Sequence, residues 1–215
     1  MFHPSNFTIT NVFLATKEQA LQDAHKFLKQ VVGMITVTLA DDLVKTGSAF
    51  FFCSSYYLLT AAHVVKEYRS ISVMFPDFGN FDAKVIRLDE RLDLALLKMT
   101  DFEGQTHSLP YLKLAPECPP GKVAFCAGFY QSRFHCTEGM VTNSDDPHTI
   151  VVSNLSDNGT SGGPATGRLF RELLGVIRED YGTTHHRTAL TPSWDVDNFL
   201  RADPSGPQME IFRLL

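Results

Sequence analysis

The chain has 215 residues, 44% of them hydrophobic, a net charge of -5 and an isoelectric point near 5.9. That is apolar material for one large domain or two small packed lobes, and it excludes a disordered chain. With no block of Lys and Arg to track a phosphate backbone, and no apolar stretch of about 18 to 20 residues, neither nucleic acid nor a membrane is an expected partner.

The N-terminus, "MFHPSNFTITNVFLATKEQA", lacks a basic segment followed by an apolar run and a small-residue cleavage site, so a secretory signal is not expected. Cys53, Cys118, Cys126 and Cys136 show no C-x-x-C pairing, which fits reduced thiols better than a disulfide framework or a zinc site. The expectation is a soluble, cytoplasmic chain without metal or cofactor.

In chain order, "ATKEQALQDAHKFLKQVV" places Ala20, Leu21, Ala24, Phe27, Leu28 and Val31 at helical spacing, with Thr16 and Gln19 forming a capping-box pattern. From Gly33 onward the texture turns to short β-branched and aromatic runs: "MITVTLA", "SAFFFC", "YYLLT", "SISVMF", "AKVIRL" and "LALLK". Residues 100–121, rich in Pro, Gly and polar side chains, read as a connector. Strand texture then returns in "KVAFCAGF", "FHCTEGMVT", "HTIVVS", "ELLGVIR" and "RTALT". "PSWDVDNFL" predicts a short terminal helix with Ser193 as its N-cap and Trp194, Phe199 and Leu200 as anchors. The expected organisation is an N-terminal extension and helix over 1–32, a first β-lobe over 33–112, a second lobe with its helix over 113–200, and a tail over 201–215.

Three short motifs carry chemistry. "LLTAAHVV" sets His63 just beyond a strand, "RLDLALLK" sets Asp93 at the head of another, and "DNGTSGGPA" sets Ser161 among glycines. Singly, each has an ordinary reading: a structural histidine, a turn-forming aspartate, a Gly/Ser loop. Together they supply the residue types of nucleophilic catalysis. An alcohol needs a base within hydrogen-bond reach, and the base needs a carboxylate to fix its tautomer.

"TAAHVV", "LDLALLK" and "GTSGGP", in this order, resemble the chymotrypsin-fold (trypsin-like) serine proteases, and are similar to the HtrA/Deg protease domain and related bacterial trypsin-like peptidases. The resemblance runs over about residues 33–200. It implies an all-β fold of two six-stranded antiparallel barrels, flanked here by an N-terminal and a C-terminal helix. It further implies a serine endopeptidase acting on protein or peptide substrates. Ser161 would be the nucleophile, His63 the general base and then acid, and Asp93 the orienting carboxylate. Gly159 and Ser161 would present the N–H groups of the oxyanion hole. The rival reading is a protease-like pseudoenzyme whose cleft serves as a peptide-binding or scaffold module.

The chain also departs from that family. Thr160 stands where secreted digestive members carry an aspartate that pairs with a newly cut N-terminus, so that activation switch is absent. Val64 follows His63 where disulfide-bonded members have a cysteine, leaving Cys53 without its usual partner. Alignment puts Leu155 at the floor of the S1 pocket, which implies an apolar preference. "GVIRED" would offer the strand edge for an extended substrate, through Ile177, Arg178 and Glu179. The adjacent His185 and His186 point to opposite faces if they lie on a strand, which argues against a shared metal. No PDZ-like segment follows Leu200, so the expectation is the protease module alone. A regulatory partner recruited through "MEIFRLL" stays open beside docking of that tail on its own domain.

Overall fold

The computed structural model describes residues 5–54, 56–100, 109–142, 146–154, 159–180 and 187–202. Helix α1, Ser5–Val31, opens it. The helix starts well before Thr16, which therefore lies inside it rather than at its start. No Gly or Pro occurs between Ser5 and Val31, while Pro4 stands immediately before, so nothing in the sequence halts the helix until its C-terminal end. Ala24, Leu28 and Val31 share one fully buried face. Phe27 carries the Arg171 guanidinium 5.2 Å above its ring, and His25 meets Phe134 edge-on at 5.0 Å.

Six strands follow: β1 Val32–Leu39, β2 Val44–Phe51, β3 Tyr57–Thr60, β4 Tyr68–Phe75, β5 Gly79–Asp89 and β6 Leu94–Met99. They close into an antiparallel barrel in the order β1-β2-β3-β6-β5-β4. A one-turn helix, α2 Ala62–Val65, links β3 to β4. The second set comprises β7 Lys113–Leu114, β8 Val123–Tyr130, β9 Arg133–Thr142, β10 Ile150–Val152, β11 Pro164–Thr166, β12 Glu172–Asp180 and β13 Thr188–Pro192, then α3 Ser193–Arg201. Six of these strands run β11-β8-β9-β10-β13-β12 and close through β11–β12 pairing, while β7 lies parallel to β12 outside the ring. The fold is the expected pair of six-stranded barrels with terminal helices. Every apolar run singled out in the sequence contains a strand; β7 and β11, too short to show a pattern, were not anticipated.

Alternation along the strands sorts side chains into three cores. Phe51, Leu58, Ala95 and Leu97 fill the first barrel, where Phe51 stacks on Phe75 with centroids 4.2 Å apart. Ala124, Cys126, Leu174, Ile177 and Leu190 fill the second. The opposite faces of the same strands, Phe50, Phe52, Leu59, Leu94 and Leu96 against Phe125, Ala127, Phe129, Leu173 and Val176, form one shared cluster with α1 and α3. This explains why "AFFF" and "LALL" are continuously apolar: those strands are buried on both faces.

At the C-terminal end the cap differs from expectation. Pro192 occupies the N-cap of α3 without a side-chain bond, and Ser193 Oγ instead lies 3.5 Å from the Ala115 carbonyl of the connector. Val196, Phe199 and Leu200 anchor the helix, but Trp194 is 44% exposed and uses its indole N–H on Pro147 O at 3.2 Å. Replacing Leu28, fully buried between α1 and both barrels, by Ala should cost about 2–5 kcal/mol in urea unfolding. The half-exposed Leu21→Ala should stay within about 0.5 kcal/mol; equal losses would mean that α1 is not held by its buried face.

Candidate active site

The site lies where the two barrels meet. β3 ends at Thr60, paired with Ala95 of β6, and α2 follows at once. Ala61, Ala62, Val64 and Val65 are buried, which leaves His63 as the one residue of that turn facing out. Because β3 and β6 are neighbours, the turn after Thr60 and the residue just before β6 are brought together. Asp93 occupies that position in a left-handed conformation, φ 53°, which Asp tolerates better than most side chains. Asp89 Oδ1 supports this turn by accepting the N–H groups of Arg91 and Leu92 at 2.9 and 3.0 Å.

The Asp93 carboxylate grips the histidine twice. Its Oδ1 accepts the backbone N–H of His63 at 2.9 Å, and both oxygens lie within reach of Nδ1, Oδ2 at 2.9 Å and Oδ1 at 3.1 Å. The acceptor carboxylate places the hydrogen on Nδ1 in the neutral ring and leaves Nε2 as the basic nitrogen. Asp93 is 14% exposed and His63 50%, so the carboxylate is largely shielded while the imidazole stays accessible. Thr191 Oγ1 of the second barrel donates to Leu92 O at 2.7 Å, which fixes the residue preceding Asp93 from across the seam.

Ser161 comes from the second barrel, in the tight turn leading into β11. Gly163 N–H donates to Thr160 O at 2.9 Å, and Ser161 O accepts Ser48 N–H of β2 at 2.9 Å. A Cβ built on Gly47 would lie 2.7 Å from Val64 Cγ1 and 3.2 Å from Ser161 O, so the turn bearing His63 and the turn bearing Ser161 flank the same glycine. Two glycines of the motif have a stated need. Gly162 has φ 83°, and its Cβ would overlap Thr60 Oγ1 and Ser48 O. Gly159 has φ 107°, and its Cβ would come within 2.7 Å of Phe129 O.

The remaining expected residues fare differently. Leu155, His185 and His186 lie outside the described residues. Ile177 cannot serve as a free strand edge. Its N–H donates to Gly163 O and its carbonyl accepts Gly162 N–H, both at 2.8 Å, so both backbone groups already pair with the turn that follows Ser161. A register irregularity in the β12–β13 pairing falls between Ile177 and Glu179, and Glu179 pairs with Ala189. The Arg178 guanidinium extends to Thr149 Oγ1 at 3.5 Å.

A second His–Asp pair, unforeseen in the sequence, joins His148 Nδ1 to Asp195 Oδ2 at 2.9 Å. The nearby Ser193 is buried with its hydroxyl toward the connector, so this pair clips the approach to β10 onto α3. Among the described residues no group of three or more His, Cys, Asp or Glu could hold a metal.

The architecture is a pair of six-stranded barrels whose seam brings together the turns bearing His63, Asp93 and Ser161. A family model, the trypsin-like peptidase domain, matches residues 47–175, and the chain belongs to that family. It is 29% identical to serine protease HTRA1 of Xenopus laevis over 145 residues, 61% of this chain and 30% of that protein. It is 28% identical to a probable periplasmic serine endoprotease DegP-like of Marinomonas sp. (strain MWYL1) over 167 residues, 73% of this chain and 34% of that protein. The chain thus spans about a third of the length of these relatives. Its fold is similar to that of the Rv3671c protease from M. tuberculosis in its active form, with TM-score 0.73 and 20% identity over 85% of this chain and 84% of that one. The serine endoprotease from Yersinia pestis aligns with TM-score 0.73 and 19% identity over 90% of this chain and 66% of that one.

All four cysteines are free. Cys126 pairs with Thr137 and Cys136 with Ala127 on the β8–β9 ladder, so the two thiols project from opposite faces and cannot bridge. Burial pushes the thiols of Cys53 and Cys136 up to about 12 and that of Cys118 to about 11, and raises Cys126 as well. The raised values keep the thiols protonated at pH 8, where only about one in 10³ of even the lowest would be thiolate. Ellman's reagent should therefore label the native protein slowly and all four positions quickly in guanidinium; a rapid stoichiometric burst on native protein would contradict this.

Proposed function

We propose that the chain is a serine endopeptidase. The observation that carries this reading is the His63–Asp93 pair, with Nδ1 saturated by a shielded carboxylate and the ring exposed beside the Ser161 turn. His63 Nε2 takes the Ser161 hydroxyl proton as Oγ attacks the scissile carbonyl, and Asp93 stabilises the resulting imidazolium without accepting its proton. The N–H groups of Gly159 and Ser161 receive the negative oxygen of the tetrahedral intermediate. His63 then protonates the departing amine, and water repeats the sequence on the acyl-enzyme.

Substrate would lie extended along β12 beyond Ile177, using the strand from Arg178 and Glu179. The family resemblance that puts Leu155 at the position setting the first pocket supports aliphatic or medium apolar P1 residues over Lys or Arg, whose charge would lose water without gaining a partner. A cytoplasmic location is our proposal from the four free thiols; the periplasmic setting in the DegP-like name is that relative's. A regulatory protein partner that binds the active shape of the Ser161 loop would shift the population toward it.

Ser161→Ala and His63→Ala should each reduce peptide hydrolysis by about 10⁴-fold or more, because triad members act as a unit. Near-parental turnover in purified Ser161→Ala would remove the nucleophile. A fluorophosphonate probe should label Ser161 in uncleaved protein starting at Met1, since Thr160 cannot form the ion pair that proteolytic activation builds. Labelling confined to N-terminally trimmed species would overturn constitutive activity, and labelling that requires an added protein would indicate partner control. Failure of every form to label would favour the peptide-binding pseudoenzyme. In a peptide library, cleavage dominated by basic P1 residues would refute the apolar pocket.

A further inference from the structure

Ser48 makes contacts that the reaction scheme above does not use. It lies on β2 at the seam, is fully buried, and has every polar group engaged. Its N–H donates to Ser161 O at 2.9 Å. Its carbonyl accepts the hydroxyl of Thr60, three positions before His63, at 2.7 Å. Its Oγ sits 2.8 Å from both Phe129 N and Gly159 O. The direction of those last two bonds is forced. A backbone N–H can only donate and a carbonyl can only accept, so the hydroxyl accepts from Phe129 and spends its one hydrogen on Gly159 O.

From this arrangement we infer that Ser48 is a positioning residue for the oxyanion hole, an inference that rests on the peptidase reading. The two residues proposed to present N–H groups to the oxyanion are Gly159 and Ser161, and Ser48 holds the carbonyl of each: Gly159 through Oγ, Ser161 through its backbone N–H. A peptide carbonyl fixed in direction restricts the rotation of its own residue. Gly159 is further confined because its Cα packs against Phe129 O, to the point that a Cβ would lie 2.7 Å away. Anchoring the carbonyl on one side and packing the Cα on the other sets the aim of the Gly159 N–H. Thr160, between them, is uncharged, so no buried ion pair is available for the task. The Ser48 hydroxyl does it with a neutral bridge from β8 of the second barrel through β2 of the first.

The bridge predicts a signature that simple destabilisation would not produce. Ser48→Ala keeps the backbone bond to Ser161 but frees the Gly159 carbonyl and leaves Phe129 N–H unpaired. The Gly159 N–H is then misaimed rather than deleted, so kcat should fall about 10- to 100-fold, less than loss of an oxyanion donor outright. KM should stay within about twofold, because the ground-state carbonyl draws little on the hole. The inhibition constant of a peptidyl boronate, whose tetrahedral adduct puts an oxygen in the hole, should rise by the same factor as kcat falls. Affinity for the same peptide sequence in a Ser161→Ala background should be unchanged by Ser48→Ala. Gly128→Ala provides a second variant, since its Cβ would press on Thr160 Cα at 2.8 Å and Ser48 Oγ at 2.9 Å from the other side; the same pattern should appear. Thermal unfolding of each variant identifies the folded fraction against which rates are normalised. An active parent with normalised kcat and boronate inhibition unaltered in Ser48→Ala would overturn the inference and leave the peptidase reading standing. So would parallel losses in kcat and in ground-state peptide affinity. A parent that neither hydrolyses peptides nor binds the boronate would sink the peptidase reading and this inference with it.

Discussion

β2 and the Ser161 turn approach so closely that no side chain fits between them, and the rest of the candidate site is arranged around that approach. Ser48 N–H bonds to Ser161 O, and Gly47 and Gly162 occupy points where a Cβ would strike Val64 on one side and Ser48 O on the other. A contact between backbones is stiffer than one between side chains, since neither partner has rotamers with which to yield. It registers Ser161, built on the second barrel, against His63 and Asp93, built on the first. The apolar seam beneath, with aromatic and aliphatic side chains from both barrels and both terminal helices, supplies the cohesion. The glycines convert that cohesion into position.

Much of this was legible in the sequence because it depends on local pattern. Short β-branched and aromatic runs marked the strands, and the motifs bearing His63, Asp93 and Ser161 fall on turns that the fold brings to one seam. What stayed hidden depends on partners distant in sequence. Nothing in "TGSAFFF" distinguishes Ser48 from any serine at a strand's solvent end; its importance comes from Phe129 and Gly159, contributed by the other barrel. Ile177 was misread for a related reason. Its strand was identified correctly, but which backbone edge is free depends on pairing with Gly162 and Gly163, which no periodicity encodes. The strands β7 and β11 cover two and three residues, too few for alternation to show. The early start of α1 shows the limit of capping patterns: Thr16 and Gln19 have suitable chemistry, but a cap forms only where the helix cannot continue upstream.

The two His–Asp pairs separate geometry from function. In both, Nδ1 meets a carboxylate oxygen at 2.9 Å, the imidazole is half exposed and the carboxylate shielded. At His63 the ring is exposed, and its turn flanks the same glycine, Gly47, as the turn bearing the partly exposed Ser161. At His148 the carboxylate belongs to the first turn of α3, and the serine of that turn is sealed against the connector. A His–Asp contact is thus a sturdy clip in one place and, in the function we propose, the support of a base in the other. The surroundings decide which.

The connector has a consequence for how such a protein can be divided. Leu112 exchanges backbone bonds with the first barrel, donating to Phe51 O and accepting from Cys53 N–H, while Lys113 and Ala115 donate to Arg171 O and Leu173 O of the second. The segment between the barrels is therefore woven into both sheets, with only one peptide bond between its commitments to each. Cutting the gene there would strand unpaired backbone on both halves. Neither lobe is a portable module in the manner of beads on a flexible string, and shuffling of lobes among related chains would have to exchange the connector's partners on both sides at once.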